Sequence, residues 1–187
     1  MPVLHIILAF AIVCEPSSEV RLAQAEKAAA DPAVQQFQRA IADYLTLRAR
    51  LSKEIVTPSP NATAAQIAAS SDALARAVQR ARPKPPPGVF FDASAAALIR
   101  TKFRELLAGN PVLLEGIDDE VRAPRAPGVY ARFPEALPMA TMPPLVLAAL
   151  PTLPPELEYR LIGEDLILRD AAAAMILDIL PKAVRRE

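Results

Sequence analysis

Residues 158–169 read EYRLIGEDLILR, and this stretch decides the fold class. Polar and apolar residues alternate from Glu158 to Ile162, as in a half-buried strand, and the following Gly163-Glu164-Asp165 is typical of a turn. Leu166-Ile167-Leu168-Arg169 then returns the chain as a second strand. The sequence therefore predicts an antiparallel β-hairpin in its C-terminal part.

The segment after the hairpin admits two interpretations. Residues 175–180 read MILDIL and lack the polar face of a surface helix. This favours a third strand before Pro181, since a two-stranded hairpin is only marginally stable alone. The four alanines at 171–174 favour instead a helix over 171–180, because alanine is the best helix former. We predict the strand, and with it a β-meander over 157–181.

Residues 31–122 carry helical patterns. Asp31-Pro32 is a typical helix start, with a capping carboxylate followed by proline at the first helical position. A stripe at three- and four-residue steps predicts a helix over about 32–54, which the Thr57-Pro58-Ser59-Pro60 stretch ends. The positions on this stripe are Val34, Phe37, Ile41, Tyr44 or Leu45, Arg48 and Leu51.

Two longer helices and one short helix are predicted next. Asn61 is placed to cap a helix over about 62–82, and Asp92 precedes another that stops at Gly109. Asn110-Pro111 restarts a short helix that ends at Asp118-Asp119-Glu120. The inward positions of the two longer helices are Ile67, Ser71, Leu74 and Val78, then Ala96, Ile99, Phe103, Leu106 and Leu107.

Residues 123–156 are rich in proline. Nine prolines lie between Pro124 and Pro155, and this density forbids a long helix. We predict an irregular connector packed on the core, with one short helix over about 143–150. The predicted architecture is α+β: three or four N-terminal helices, a Pro-rich connector and an antiparallel β-meander of two or three strands, in one domain over 26–187.

The N-terminal stretch VLHIILAFAIVC, residues 3–14, is apolar. It is too short for an ordinary membrane span but fits the apolar region of a signal peptide, and Ala23-Gln24-Ala25 resembles a cleavage site before Glu26. We predict that residues 1–25 are a signal peptide and that the protein is periplasmic or secreted. The alternative is a retained segment that associates with the membrane. A lipid anchor at Cys14 fits poorly, because Val13 stands where a small residue is expected.

Export would have a chemical consequence. His5 and Cys14 are the only histidine and cysteine of the 187 residues, and both would be removed. The remaining chain would have no disulfide, no Cys- or His-ligated zinc, haem or iron–sulfur site, and no Ser-His-Asp or Cys-His catalysis. The 21 basic and 21 acidic residues give no electrostatic argument for nucleic acid. We expect no cofactor, no metal and no nucleic-acid partner.

Carboxylates are the acid–base groups that remain. Asp165, Asp170 and Asp178 surround the β-meander and could include a general acid/base pair, although aspartate at a turn more simply bonds its own backbone. Asp118-Asp119-Glu120 could bind a hard cation, but it lacks the alternate spacing of a calcium loop, and a solvated face is the simpler interpretation. We therefore assign no catalytic, cofactor-binding or metal-binding residue.

Basic and proline-rich stretches are weak indications of binding sites. The basic residues of the first three helices could bind phosphate or lipid headgroups, but interspersed acids favour a solvated surface. They are Arg48, Arg50, Lys53, Arg76, Arg80, Arg82, Lys84, Arg100, Lys102 and Arg104. Residues 83–87 and 151–154 could be polyproline ligands or stiff connectors. Apolar residues within 129–150, including Tyr130 and Phe133, could belong to the core or to a patch that binds another protein.

Three blocks carry a resemblance: FDASAAALIR at 91–100, TMPP at 141–144 and LPPELEYRLIGEDLILRD at 153–170. Over about residues 30–181 the chain resembles a group of small bacterial proteins that are regarded as exported and have no assigned activity. The resemblance implies an α+β exported protein with a signal peptide, and it implies no reaction. Where the group has A-N-L-I-V-D in its last turn, this chain has Ala174-Met175, so a looser turn is expected here.

Three functional hypotheses follow. The preferred one is an exported, non-enzymatic interaction or accessory protein of the bacterial envelope that contacts another protein through residues 129–150. The second is a carboxylate-dependent hydrolase, for instance of glycans, that uses a pair such as Asp165 and Glu158; glycosidases separate two such carboxyl groups by roughly 5–9.5 Å. The third is an accessory subunit of a larger integral complex, with membrane contact only if residues 1–25 are retained.

Overall fold

The computed structural model describes residues 31–83, 85, 88–110, 126–134 and 142–184. These residues confirm the α+β prediction, with helices that precede a three-stranded antiparallel sheet. The elements are α1 (Pro32–Ser52), α2 (Ala64–Ala81), α3 (Ala93–Gly109), α4 (Pro144–Ala149), β1 (Leu157–Ile162), β2 (Asp165–Asp170) and β3 (Met175–Leu180). The described residues from Pro32 onward belong to one compact unit. The predicted signal peptide, the short helix after Pro111 and the acidic run 118–120 lie outside the described residues.

The sheet has the order β1-β2-β3, with antiparallel neighbours. Asp165 pairs with Ile162 next to the predicted turn, where Gly163 has a φ of 59°. Between β2 and β3 the register shifts, so that Leu168 pairs with Asp178 and Arg169 with Ile176. This bulge leaves Leu177 without a partner residue and places Asp178 on the same face of the sheet as Leu168.

Residues 175–180 form a strand, as predicted, because β3 extends the hairpin and is buried on both faces. One face of the sheet packs against the helices in the main core, through side chains such as Leu166 and Leu168 of β2 and Met175 of β3. The other face forms a small cluster of Phe133, Ile162, Ile167 and Ile176. Strands buried on both faces read as continuous apolar runs, which accounts for the missing alternation in MILDIL.

The described part of the Pro-rich connector packs on the sheet, as predicted. The amide of Tyr130 donates to the carbonyl of Ile176 at 2.8 Å, and the amide of Phe133 donates to the carbonyl of Ala174 at 2.9 Å. These bonds pair the connector with the chain at the start of β3. They place Phe133 over the sheet face that the helices leave open.

The helices bury narrow stripes. Phe37, Ile41 and Tyr44 of α1 are buried, so the stripe runs through Tyr44 rather than Leu45. Phe37 stacks on Phe91 and on Tyr159, with ring centroids 6.1 and 6.4 Å apart. Helix α1 packs against α2 and α3, and α4 packs against α3. None of the helices in the described ranges combines the length and the apolar character that a membrane crossing requires.

The start of α2 corrects two predictions. Thr63, and not Asn61, is the N-cap: its hydroxyl accepts from the amide of Gln66, whose side chain bonds back to the amide of Thr63. Such a reciprocal capping box satisfies two amides at once, which a lone Asn61 would not do. Ile67 is 51% exposed instead of facing inward. It lies on the stripe of Leu74 and Val78, but the first turn of the helix extends past the core.

Candidate functional site

Asp170, at the end of β2, is fully buried. Its carboxylate accepts hydrogen bonds from the Tyr44 hydroxyl at 2.7 Å, from Nε of Arg48 at 2.6 Å and from the amide of Ala173 at 2.9 Å. Burial, and then the negative charge of Asp170, raise the pKa of the Tyr44 hydroxyl well above its ordinary value, so this hydroxyl remains a donor. The bond to Ala173 matches the predicted turn role, but the other two tie the sheet to α1.

Asp178, in the middle of β3, ties the sheet to the loop before α3. Its carboxylate accepts from the amides of Phe90 and Phe91, each at 2.9 Å, and from the amide of Gly88 at 3.2 Å. Gly88 has a φ of 72°, and a Cβ there would lie 3.0 Å from the carbonyl oxygen of Phe91, so the loop requires glycine. The predicted turn role does not apply to Asp178, which lies inside a strand and binds a distant loop.

The hydrolase pair that the sequence suggested is not assembled. One carboxylate oxygen of Asp165 accepts from the amide of Lys182 at 3.0 Å, whereas Glu158 is bonded to Nε of Arg160 at 2.8 Å. Asp165 pairs with Ile162, four residues along β1 from Glu158, which places the Cα atoms of Asp165 and Glu158 about 14 Å apart on neighbouring strands. The two carboxylates thus bond to separate partners.

Arg169 is the one strongly buried basic side chain among the described residues. Its guanidinium carbon lies 4.8 Å from the ring centroid of Phe133, and Glu158 stands opposite it in the sheet register. Burial lowers the pKa of Arg169, while the charge of Glu158 opposes that shift. The aromatic ring and the carboxylate together stabilise a cation that is mostly withdrawn from water.

The predicted basic residues do not form a common phosphate site among those described. Arg48 binds Asp170, and the guanidinium carbon of Arg82 lies 5.6 Å from the ring centroid of Phe90. Arg100 donates to the carbonyl of Pro181 at 2.9 Å, and Lys102 lies 3.9 Å from Glu105 on the same helix. Lys84 lies outside the described residues. These cations serve separate local contacts.

A cleft lies between α2, the Tyr130–Arg132 segment and the turn before β3, and we call it the α2 cleft. Its volume is about 140 Å³, and its lining is Asp72, Ala75, Arg76, Gln79, Tyr130, Arg132, Ala173 and Met175. Asp72 of α2 forms an ion pair with Arg132 across the cleft. The Gln79 amide nitrogen donates to the carbonyl of Tyr130 at 3.1 Å. These two contacts fix the connector against α2.

Strained backbone occurs at one lining residue of the α2 cleft, Tyr130, and at Ala174, which lies between the lining residues Ala173 and Met175. Tyr130 has a φ of 67° and Ala174 a φ of 48°, both in the left-handed region that residues other than glycine rarely adopt. The Tyr130 hydroxyl is buried and has no hydrogen-bond partner among the described residues, and this burial raises its pKa. At Ala174, the asparagine that the resemblance leads one to expect in this turn would suit the positive φ better than alanine.

The solvent-facing side of α4 is apolar. Leu145 is 52% exposed and Leu147 is 45% exposed, whereas Val146 between them is fully buried. At 100° per residue, Leu145 and Leu147 flank a face that Pro144 and Ala148 complete, and both of these are exposed as well. Helix α4 therefore has no polar side. We call these four residues the α4 face.

The predicted binding segment 129–150 divides into core and surface residues. Phe133, Met142 and Leu150 are buried, so they belong to the core. The exposed residues among those described in this segment are Arg132 and the four residues of the α4 face, and of these only the α4 face is apolar. Residues 135–141 lie outside the described residues.

Comparison with known proteins identified no relative. No family model, curated protein or solved structure matches the chain. The resemblance carried by residues 91–100, 141–144 and 153–170 stays a prediction.

Proposed function

We propose that this protein is an exported, non-enzymatic interaction or accessory protein of the bacterial envelope, and that its partner is another protein that covers the α4 face. The observation that carries the proposal is the exposure of Leu145 and Leu147 on a helix without a polar side. A helix that is apolar all round is ordinarily buried on every side. An apolar side left in water is typical of a surface that a partner covers.

The shape of the α4 face favours a partner of a different kind over a second copy of the chain. A stable protein–protein interface buries about 800 Å² on each partner, and one side of a six-residue helix provides much less, so the α4 face would form only part of the contact. A short apolar helix fits a groove on its partner better than it fits the same helix of a second copy. Pro144 at the first helical position and the buried Met142 before it hold the helix in place.

The described carboxylates support a non-enzymatic role. Asp170 and Asp178 each hold an element of the fold, and Asp165 and Glu158 are bonded to separate partners. Glycoside hydrolysis by two acids requires two carboxyl groups that flank the same bond. The described residues thus favour the interaction protein over the hydrolase alternative.

Photo-crosslinking tests the partner. A photoreactive residue in place of Ala148, at the centre of the α4 face, is expected to yield one discrete heavier product in native cells. The same residue in place of Val56, which is 85% exposed, serves as the control and is expected to give no such product. Leu145→Ser combined with Leu147→Ser is expected to abolish the product, because it removes the apolar contact, and to change the free energy of unfolding by less than about 0.5 kcal/mol.

Three results would contradict the proposed partner. The product could fail to form at position 148, it could survive the double substitution, or its mass could equal that of two copies of this chain. The last result would assign the α4 face to self-association.

Export is tested separately by sequencing the N-terminus of the native protein. We expect the mature chain to begin at Glu26, because Ala23-Gln24-Ala25 places small residues where a signal peptidase requires them. A chain that begins at Met1 or Pro2 would contradict export by cleavage. It would support instead the membrane-retained accessory subunit.

A further inference from the structure

We propose that the α2 cleft binds a small organic anion with one carboxylate group and a short apolar body. The charges of the lining residues point to this class of ligand. Asp72 forms an ion pair with Arg132, and Arg76 is a second basic residue of the lining. The charged side chains that line the cleft therefore sum to one positive charge, which balances a monoanion better than a dianion.

The chemistry of Arg76 fits a carboxylate. A guanidinium presents two parallel N–H groups that match the two carboxylate oxygens. Arg76 is exposed, so it can receive a ligand without a rearrangement of the core. A phosphate dianion would bring a second negative charge that the single net positive charge of the lining does not balance.

The size and the remaining lining define the rest of the ligand. The volume of about 140 Å³ is close to that of an engineered cavity of roughly 150 Å³ that accommodates benzene. Ala75, Ala173 and Met175 supply apolar surface beside the charged groups. A ligand with a body of about six carbon atoms would fill this space with its carboxylate on Arg76.

The strained residues Tyr130 and Ala174 are held in place without a ligand. Tyr130 keeps its positive φ because its amide donates to Ile176 and its carbonyl accepts from Gln79. Two backbone hydrogen bonds hold Ala174 in place. Its carbonyl accepts from the amide of Phe133, and its amide donates to the carbonyl of Ala171. Strained backbone concentrates at binding sites, where it keeps a site preformed. Two such residues border this one cleft.

Benzoate is the probe that tests the inference. In the NMR spectrum of the full-length protein, we expect saturable shifts of the amides of Gln79 and Met175, with a Kd on the order of 1 mM for so small a ligand. Acetate is expected to bind at least fivefold more weakly, because it lacks the apolar body. Neutral benzamide and inorganic phosphate are also expected to bind at least fivefold more weakly.

Two arginines of α2 provide matched variants. Arg76→Gln is expected to weaken benzoate binding at least tenfold. Arg80→Gln, which removes an exposed arginine outside the cleft lining, is expected to leave the Kd within twofold. Both are surface substitutions, and an unchanged amide spectrum elsewhere shows that each variant is folded.

Several outcomes would overturn the inference. Shifts that do not saturate, or an equal loss of affinity in the Arg76 and Arg80 variants, would show that benzoate has no site in the cleft. Tighter binding of phosphate than of benzoate would reject the carboxylate as the ligand class. Equal binding of benzamide would reject the charge on Arg76 as the anchor.

Discussion

Replacing Asp170 by alanine is expected to lower the free energy of unfolding by about 3–5 kcal/mol, because breaking one side of a buried ion pair leaves the other side uncompensated. The substitution would leave the Tyr44 hydroxyl and the Arg48 guanidinium without their carboxylate. In a domain of this size the midpoint of thermal unfolding should fall by roughly 6–20 °C. Urea titration and calorimetry of both proteins would measure the change.

Asp43 provides the control for Asp170. It is the residue before Tyr44 on α1, and it is exposed. Asp43→Ala is expected to change the free energy of unfolding by no more than about 0.5 kcal/mol. If the two alanine variants differed by less than about 1 kcal/mol, the buried ion pair would not stabilise the fold as described.

Asp178→Ala is expected to lower the free energy of unfolding by about 3–5 kcal/mol as well. It would leave the amides of Gly88, Phe90 and Phe91 without their acceptor, and each buried amide without a partner costs about 1–3 kcal/mol. The expected loss lies near the lower end of the sum of these three costs, because Gly88 is only partly buried and water can bind its amide. Hydrogen exchange should show faster exchange at the amides of Phe90 and Phe91.

Asp92 is the matched comparison for Asp178, since it caps α3 and directly follows Phe91, the last of the residues whose amides Asp178 binds. Its carboxylate accepts from the amides of Ser94 and Ala95. Loss of such an N-cap costs about 1 kcal/mol, so Asp92→Ala should be several times less damaging than Asp178→Ala. Equal losses would refute the role that we assign to Asp178.

Local signals predicted the elements well. Asp92 caps α3 as expected from its sequence position, and the hairpin turns at Gly163. The start of α2 was also encoded locally, because Thr63 and Gln66 have the three-residue spacing of a capping box. Asn61 has alanine three residues later, so the spacing of Thr63 and Gln66 distinguishes the two candidate caps.

The roles of the buried acids depend on contacts between distant residues. Asp170 meets Tyr44 across 126 residues of sequence, and Asp178 meets Phe90 across 88. No local pattern encodes either partner. One clue was present, because a single acid within the apolar run MILDIL must find hydrogen-bond donors if the strand is buried on both faces.

Only one wall of the α2 cleft could be predicted from the sequence. Asp72, Arg76 and Gln79 follow one another at steps of four and three residues, which places them on one face of a helix. The opposite wall comes from Tyr130 and Met175, far along the chain, and their position depends on how the connector pairs with β3. Sequence reasoning therefore assigned Arg76 to a broad basic surface and did not find the cleft.

Asp170 and Asp178 follow in the sequence the elements that they hold, and this order has a consequence for synthesis. The ribosome completes α1 and the loop before α3 long before it makes the two carboxylates that hold them. In the emerging polypeptide, neither contact can therefore form until β2 and β3 have been made.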